Sequence, residues 1–89
     1  MVNGFRLSVV TAESTVFDQN VEYANLPTPF GSVGVLAHHA PMLCAIEKGI
    51  LRCTLENGET ARILVGEGVA SVANNEATVL VADGKIFVE

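Results

Sequence analysis

The residues with the most chemical potential in this sequence lie close together. The run Gly31-Ser32-Val33-Gly34-Val35-Leu36-Ala37-His38-His39-Ala40-Pro41-Met42 holds both histidines of the chain, two glycines and a proline, with Cys44 just beyond. Glycine weakens a strand unless a bulge or a close backbone approach needs it, so this run either has a special backbone task or faces something outside the domain. Zinc chemistry would need three or four converging ligands. Adjacent strand residues point to opposite faces, so His38 and His39 could not serve one ion from a regular strand, and Cys44 and Cys53 lack a Cys-x-x-Cys spacing. A capping or interface histidine is the better reading. Nucleophilic chemistry would need Ser32, Ser71 or Cys44 beside a histidine and an orienting acid. No Gly-x-Ser-x-Gly elbow occurs, and Cys44, within Pro41-Met42-Leu43-Cys44-Ala45-Ile46, reads as an apolar core or interface position. Gly66-Glu67-Gly68-Val69-Ala70-Ser71 resembles the start of a dinucleotide fingerprint, but that motif needs a helix N-terminus to hold the pyrophosphate. A strand-like run and an Asn-Asn turn follow instead, so a tight turn is expected. The carboxylates scatter over presumptive turns without forming an acid–base pair. No catalytic residue, cofactor or metal ligand is expected.

The elements that must position these residues are short strands. Pro27, Pro29, Gly31, Gly34, Pro41, Gly49, Asn57-Gly58, Gly66, Gly68, Asn74-Asn75 and Asp83-Gly84 cut the chain into pieces rich in Val, Ile, Leu, Thr, Phe and Tyr. Such spacing predicts an all-β sandwich or barrel. Phe5-Arg6-Leu7-Ser8-Val9 alternates as a half-buried strand does, and Leu51, Cys53 and Leu55 would share an inner face. Asn57-Gly58 tolerates the positive φ values of a type I′ hairpin turn, with residues 61–65 as the returning strand. Residues 69–73 and 77–81 form a second hairpin across Asn74-Asn75, and Asp83-Gly84 turns into a last strand. Residues 15–26 fit one long strand or two, with a bulge or bend at Asp18-Gln19-Asn20, and residues 11–15 a loop. No stretch has helical periodicity. The expectation is a flattened all-β sandwich of about ten short strands in two packed sheets.

Composition narrows the function. The 89 residues make a single domain, 1–89, of 49% apolar composition and formal net charge −5. Its five basic residues, Arg6, Lys48, Arg52, Arg62 and Lys85, are scattered, which excludes a nucleic-acid surface and a polybasic lipid anchor. No run approaches the length of a transmembrane helix, no signal peptide precedes the first strand, and the thiols are expected to be free.

Several phrases in fixed order carry a resemblance. They are Val9-Val10-Thr11-Ala12-Glu13, then Phe17-Asp18-Gln19-Asn20-Val21-Glu22, then residues 31–43 with the core His39-Ala40-Pro41-Met42. Gly49-Ile50-Leu51-Arg52, Gly66-Glu67-Gly68 and Asn75-Glu76-Ala77-Thr78-Val79-Leu80 follow. Together they resemble the N-terminal domain of the ATP synthase epsilon subunit over nearly the whole chain. The resemblance implies a flattened ten-stranded sandwich in the central stalk of an F-type ATP synthase. Such a subunit binds the gamma subunit and rests on the c-ring, carrying ion-driven rotation to the assembled F1 complex without chemistry of its own. It would lie peripherally on the cytoplasmic face of a bacterial cell membrane. Carried over by position, Thr11, His39, Ala40, Pro41, Met42 and Cys44 would face gamma, and Phe30, Gly31, Ser32 and Val33 the c-ring. Ser32 stands where the family often has Glu, and Pro27, Pro29 and Phe30 offer a stiff apolar tip instead. Family members continue into a two-helix hairpin with inhibitory and ATP-sensing roles, whereas this sequence stops at Glu89. The expectation is a natural short form that couples rotation without self-inhibition through that hairpin. The alternatives are a generic β-sandwich module for a peptide or ligand, and a small enzyme using His39 with Cys44 or Ser32.

Overall fold

The computed structural model describes residues 4–88. It contains strands β1 (Phe5–Val10), β2 (Thr15–Thr28), β3 (Gly31–Leu36), β4 (Met42–Ile46), β5 (Gly49–Leu55), β6 (Thr60–Val65), β7 (Gly68–Ala73), β8 (Glu76–Val81) and β9 (Gly84–Val88). No helix occurs among the described residues. The alternation behind these strands is visible in their burial. Leu7 and Val9 are fully enclosed while Arg6 points out, and in β8 Ala77, Val79 and Val81 are buried between exposed Glu76, Thr78 and Leu80. The inner side chains form one core that includes Leu7, Val9, Val21, Leu26, Leu51, Ile63 and Val79. Leu51 and Cys53 lie inside as expected, with Leu55 packed half-buried against them.

The strands are hydrogen-bonded into one nine-stranded sheet in the order β4-β7-β8-β1-β2-β5-β6-β9, with β3 on β2. The two layers are thus joined through β2. This 14-residue strand pairs β1 from Thr15 to Val21 and β3 from Tyr23 to Thr28. Its other edge carries β5 at residues 21–25. β2 is one strand. Its irregularity against β5 falls between Val21 and Tyr23 rather than at Asp18-Gln19-Asn20, which stay in regular register with Ser8, Leu7 and Arg6. The physical reason is local: Arg6 and Ser8 on the partner strand both hydrogen-bond Asp18 and hold that stretch in line.

The turns correct one expectation. Asn57 does not have positive φ; Gly58 does, at 88°. Gly58 N donates to Leu55 O and Leu55 N to Glu59 O, the pattern of a three-residue loop closed by a left-handed glycine rather than a type I′ turn. Asn57 favours this loop through its side chain, whose Oδ1 accepts from Glu59 N at 2.9 Å. The type I′ geometry belongs to Asn74-Asn75, where both residues have positive φ, 53° and 61°, between the paired Ala73 and Glu76. The Gly66-Glu67 corner leads into β7, and cross-braces from Gly66 N to Asp83 O and Ala82 N to Glu67 O fix it beside the last turn.

Candidate functional site

Two exposed features flank β4. The first is the loop of residues 37–41. His38 and His39 lie in a turn rather than on a strand, with His38 held left-handed at φ 62° and His39 N donating to Leu36 O. His39 is half-buried, and its Nδ1 lies 2.7 Å from Ala40 O. A carbonyl only accepts, so Nδ1 carries the proton and a neutral ring is left with Nε2 as its acceptor. Ala40 and Pro41 are exposed, while Met42 and Cys44 turn inward against the core. Among the described residues no three His, Cys, Asp or Glu side chains gather as metal ligands.

The second feature is the β2–β3 tip. Thr28 and Gly31 pair across a two-residue loop of Pro29 and Phe30. The proline ring fixes φ for the turn, and Gly31 supplies φ 109°, which a side chain would resist. Thr28 Oγ1 accepts from Phe30 N and donates to Gly31 O, tying the loop internally. The product is a stiff corner bearing Phe30 at 99% exposure, with Ser32 exposed and Val33 half-buried behind it. At Gly34 a Cβ would come within 3.0 Å of the Tyr23 hydroxyl, so the glycine makes room for that ring.

The structure brings most of the expected residues together and sets one apart. A shallow apolar groove of about 330 Å³ is lined by Thr28, Phe30, Val33, Leu43, Cys44 and Ala45. The tip and β4 therefore share one surface. Thr11 lies elsewhere, just past the Val10 end of β1, and β1 is three interstrand steps from β4, a distance of about 14 Å. Its side chain is buried, and its hydroxyl accepts from Glu13 N and Ser14 N within its own loop. That loop can offer a partner Ala12 and Glu13, but not the Thr11 hydroxyl.

Sequence reasoning missed what lies between. Ala45 pairs Val69, Val69 pairs Leu80, and Leu80 pairs Val10, all pointing out. The next row runs Leu43, Ser71, Thr78 and Ser8. Leu43 is 75% and Leu80 50% exposed. This outer face of β4, β7, β8 and β1 is apolar and small-polar, with no charged side chain in either row. A signal was available: besides their buried residues, β7 and β8 carry Val69 and Leu80 at outward positions, where a strand facing water on that side would carry polar residues. The charge lies at the margins: Arg6 and Glu76 pair in the row beyond, and on β2 Asp18 stands opposite Ser8, where Arg6 makes paired 2.7 Å bonds to it. Those hydrogen bonds, with help from Ser8, hold the Asp18 carboxyl below its ordinary 3.8. Both thiols are free; burial raises Cys44 above its ordinary value and pushes Cys53 up to about 11.

Comparison with known proteins adds an independent line. The family model for "ATP synthase, Delta/Epsilon chain, beta-sandwich domain" matches residues 4–85. An ATP synthase epsilon chain of the Cyanidioschyzon merolae chloroplast is 40% identical over 76 residues, 85% of this chain and 57% of that protein. One from the bacterium Desulfitobacterium hafniense is 36% identical over 80 residues, 90% of this chain and 60% of that protein. This chain thus spans less than two thirds of the length of these relatives. In fold it is similar to a chain of the Euglena gracilis mitochondrial ATP synthase structure containing OSCP, F1 and c-ring, with TM-score 0.89 and 19% identity over 97% of this chain and 55% of that one. It is also similar to a chain in the central stalk and c-ring structure of the Tetrahymena thermophila mitochondrial enzyme, with TM-score 0.71 and 18% identity over 90% of this chain and 64% of that one.

Proposed function

The chain belongs to the ATP synthase Delta/Epsilon β-sandwich family, and from that premise we propose that it serves as a central-stalk coupling domain, docking on a gamma-type subunit and on the c-ring. Residues 1–89 act as one β-sandwich unit in this reading and perform no chemistry of their own. The observation that carries it is the pair of uncharged rows on the outer face of β4, β7, β8 and β1, continuous through the Phe30–Cys44 groove with the proline-stiffened tip. A sheet face of this kind suits a flat, dry contact with a second protein.

The two contacts divide by element. Gamma takes the outer face, with Leu43, Ala45, Val69 and Leu80 as its apolar centre. His39, Ala40 and Pro41 stand at one end, the loop after Val10 at the other, and Met42 and Cys44 support the face from beneath. His39 Nε2 offers an acceptor to a donor on gamma. The c-ring takes the tip through Phe30, Gly31, Ser32 and Val33, by apolar contact and a serine hydroxyl rather than by a carboxylate. Placed so, the domain would lie peripherally at the membrane surface, carried by the ring rather than by lipid.

The test is complex formation. The full chain mixed with a purified gamma subunit of a relative should co-elute in gel filtration at micromolar concentration. Leu80→Lys, which places a charge in the middle of the face, should abolish the complex while leaving the melting temperature within a few degrees. Failure of the unmodified chain to bind, or full binding by Leu80→Lys, would overturn the assignment.

A further inference from the structure

The loop that carries His39 is held by a residue far from it in sequence. Asn75 Oδ1 accepts a 2.7 Å hydrogen bond from His38 N, a contact 37 residues apart. The same side chain donates from Nδ2 to Gly4 O at 2.9 Å, and Asn75 O accepts from Arg6 N at 3.2 Å. One residue therefore ties together the histidine loop, the start of β1 and the β7–β8 turn in which it sits. Its backbone is left-handed at φ 61°, a conformation asparagine tolerates better than most residues. His38 is also left-handed, at φ 62°, a strained state for a residue with a Cβ that persists only where the surroundings impose it. The Asn75 oxygen is what the structure supplies to impose it. With His38 so turned, the chain reverses, His39 N reaches Leu36 O, and Ala40 and Pro41 are delivered exposed at the head of β4.

We infer that Asn75 is the positioning residue of the docking surface: its side chain sets the conformation of residues 37–41 and thereby the affinity of the β4 face for its partner, without touching that partner. The inference rests on the gamma-docking reading above. It also explains why an Asn-Asn turn stands between β7 and β8, where Asn-Gly would satisfy the backbone alone. The side chain at position 75 has work that glycine could not do.

Three variants of the full chain separate this role from a merely structural one. Asn75→Gly keeps the left-handed turn and deletes both side-chain bonds. Asn75→Asp keeps the oxygen facing His38 and loses the amide facing Gly4. Asn74→Gly is the control in the same turn. Amide hydrogen exchange read by NMR at His38 and calorimetric binding to gamma are the readouts. In Asn75→Gly, His38 protection should fall and the affinity drop, each about fivefold or more, the worth of one such hydrogen bond. Asn75→Asp should restore both to within about threefold, and Asn74→Gly should leave both unchanged. Undiminished gamma affinity in Asn75→Gly, or no rescue by Asn75→Asp, would overturn the inference. Absence of binding by the unmodified chain would instead sink the gamma reading, and with it the affinity half of the inference. The exchange data would still report whether Asn75 sets the loop.

Discussion

Cys44 and Cys53 share a chemistry but differ in what surrounds them. Cys53 is enclosed between β2 and β6, and its thiol is pushed up to about 11. It should resist iodoacetamide in the folded protein and react only in denaturant. Its contribution to stability is present below the ordinary thiol value of 9.0 and is lost as pH rises through the folded value. Cys44 lines the groove beside Phe30 and should label first, a difference mass spectrometry would resolve. Gamma binding should slow Cys44 labelling and leave Cys53 unaffected. Asp18 works in the opposite sense. Its carboxyl is held below 3.8 by Arg6, so its contribution is present above that value and lost as pH falls through the lower folded one. Asp18→Asn should flatten the acid limb of a urea-stability profile taken from about pH 5 to about pH 2. These environments were only partly legible in the sequence. The apolar flanks of Cys44 marked it as a core or interface residue, but nothing near Arg6 named Asp18 as its partner. That pairing depends on β1–β2 register, which sequence does not state.

At the level of elements, alternation made most strands readable before any coordinates, because one face of each is buried and the period of two survives in the residue types. Turn chemistry was harder. Asn-Gly and Asn-Asn both tolerate positive φ, and the sequence alone favours the first for type I′. In the structure an Asn57 side-chain bond steers the first into a longer loop, and the shorter turn falls to the second. Gly58→Ala should therefore cost about 1 kcal/mol, since its φ of 88° disfavours a side chain. Leu51→Ala, at the centre of β5 with no exposure, should cost about 2–5 kcal/mol. Both are readable by chemical denaturation. β3 resisted reading for a different reason. Gly31 and Gly34 weaken its strand pattern, yet one serves the tip turn and the other yields space to Tyr23, a neighbour on β2 that only the fold reveals.

For the whole molecule, the short phrases from Val9 to Leu80 pointed to the family more specifically than composition did. The residues expected to make contacts lie at the margins of a surface whose middle, Val69 and Leu80, was not among them. Phe30→Ala tests the other contact: it should weaken association with the c-ring, measured by pull-down on detergent-solubilised ring, without lowering the melting temperature, because a side chain exposed at 99% supports nothing in the core. The course of β2 bears on how such a contact would transmit force. The strand runs unbroken from the Phe30 corner into the layer of β4, β7, β8 and β1, with β3 and β5 laddered to one half and β1 to the other. A pull on the corner directed along β2 loads those ladders in shear, so many hydrogen bonds share the strain at once. Pulling across the strand would open them one after another, like a zipper. The domain is therefore mechanically anisotropic, stiff along one axis and yielding across it. Optical-tweezer unfolding from a handle at position 30 should give a markedly higher rupture force along β2 than across it.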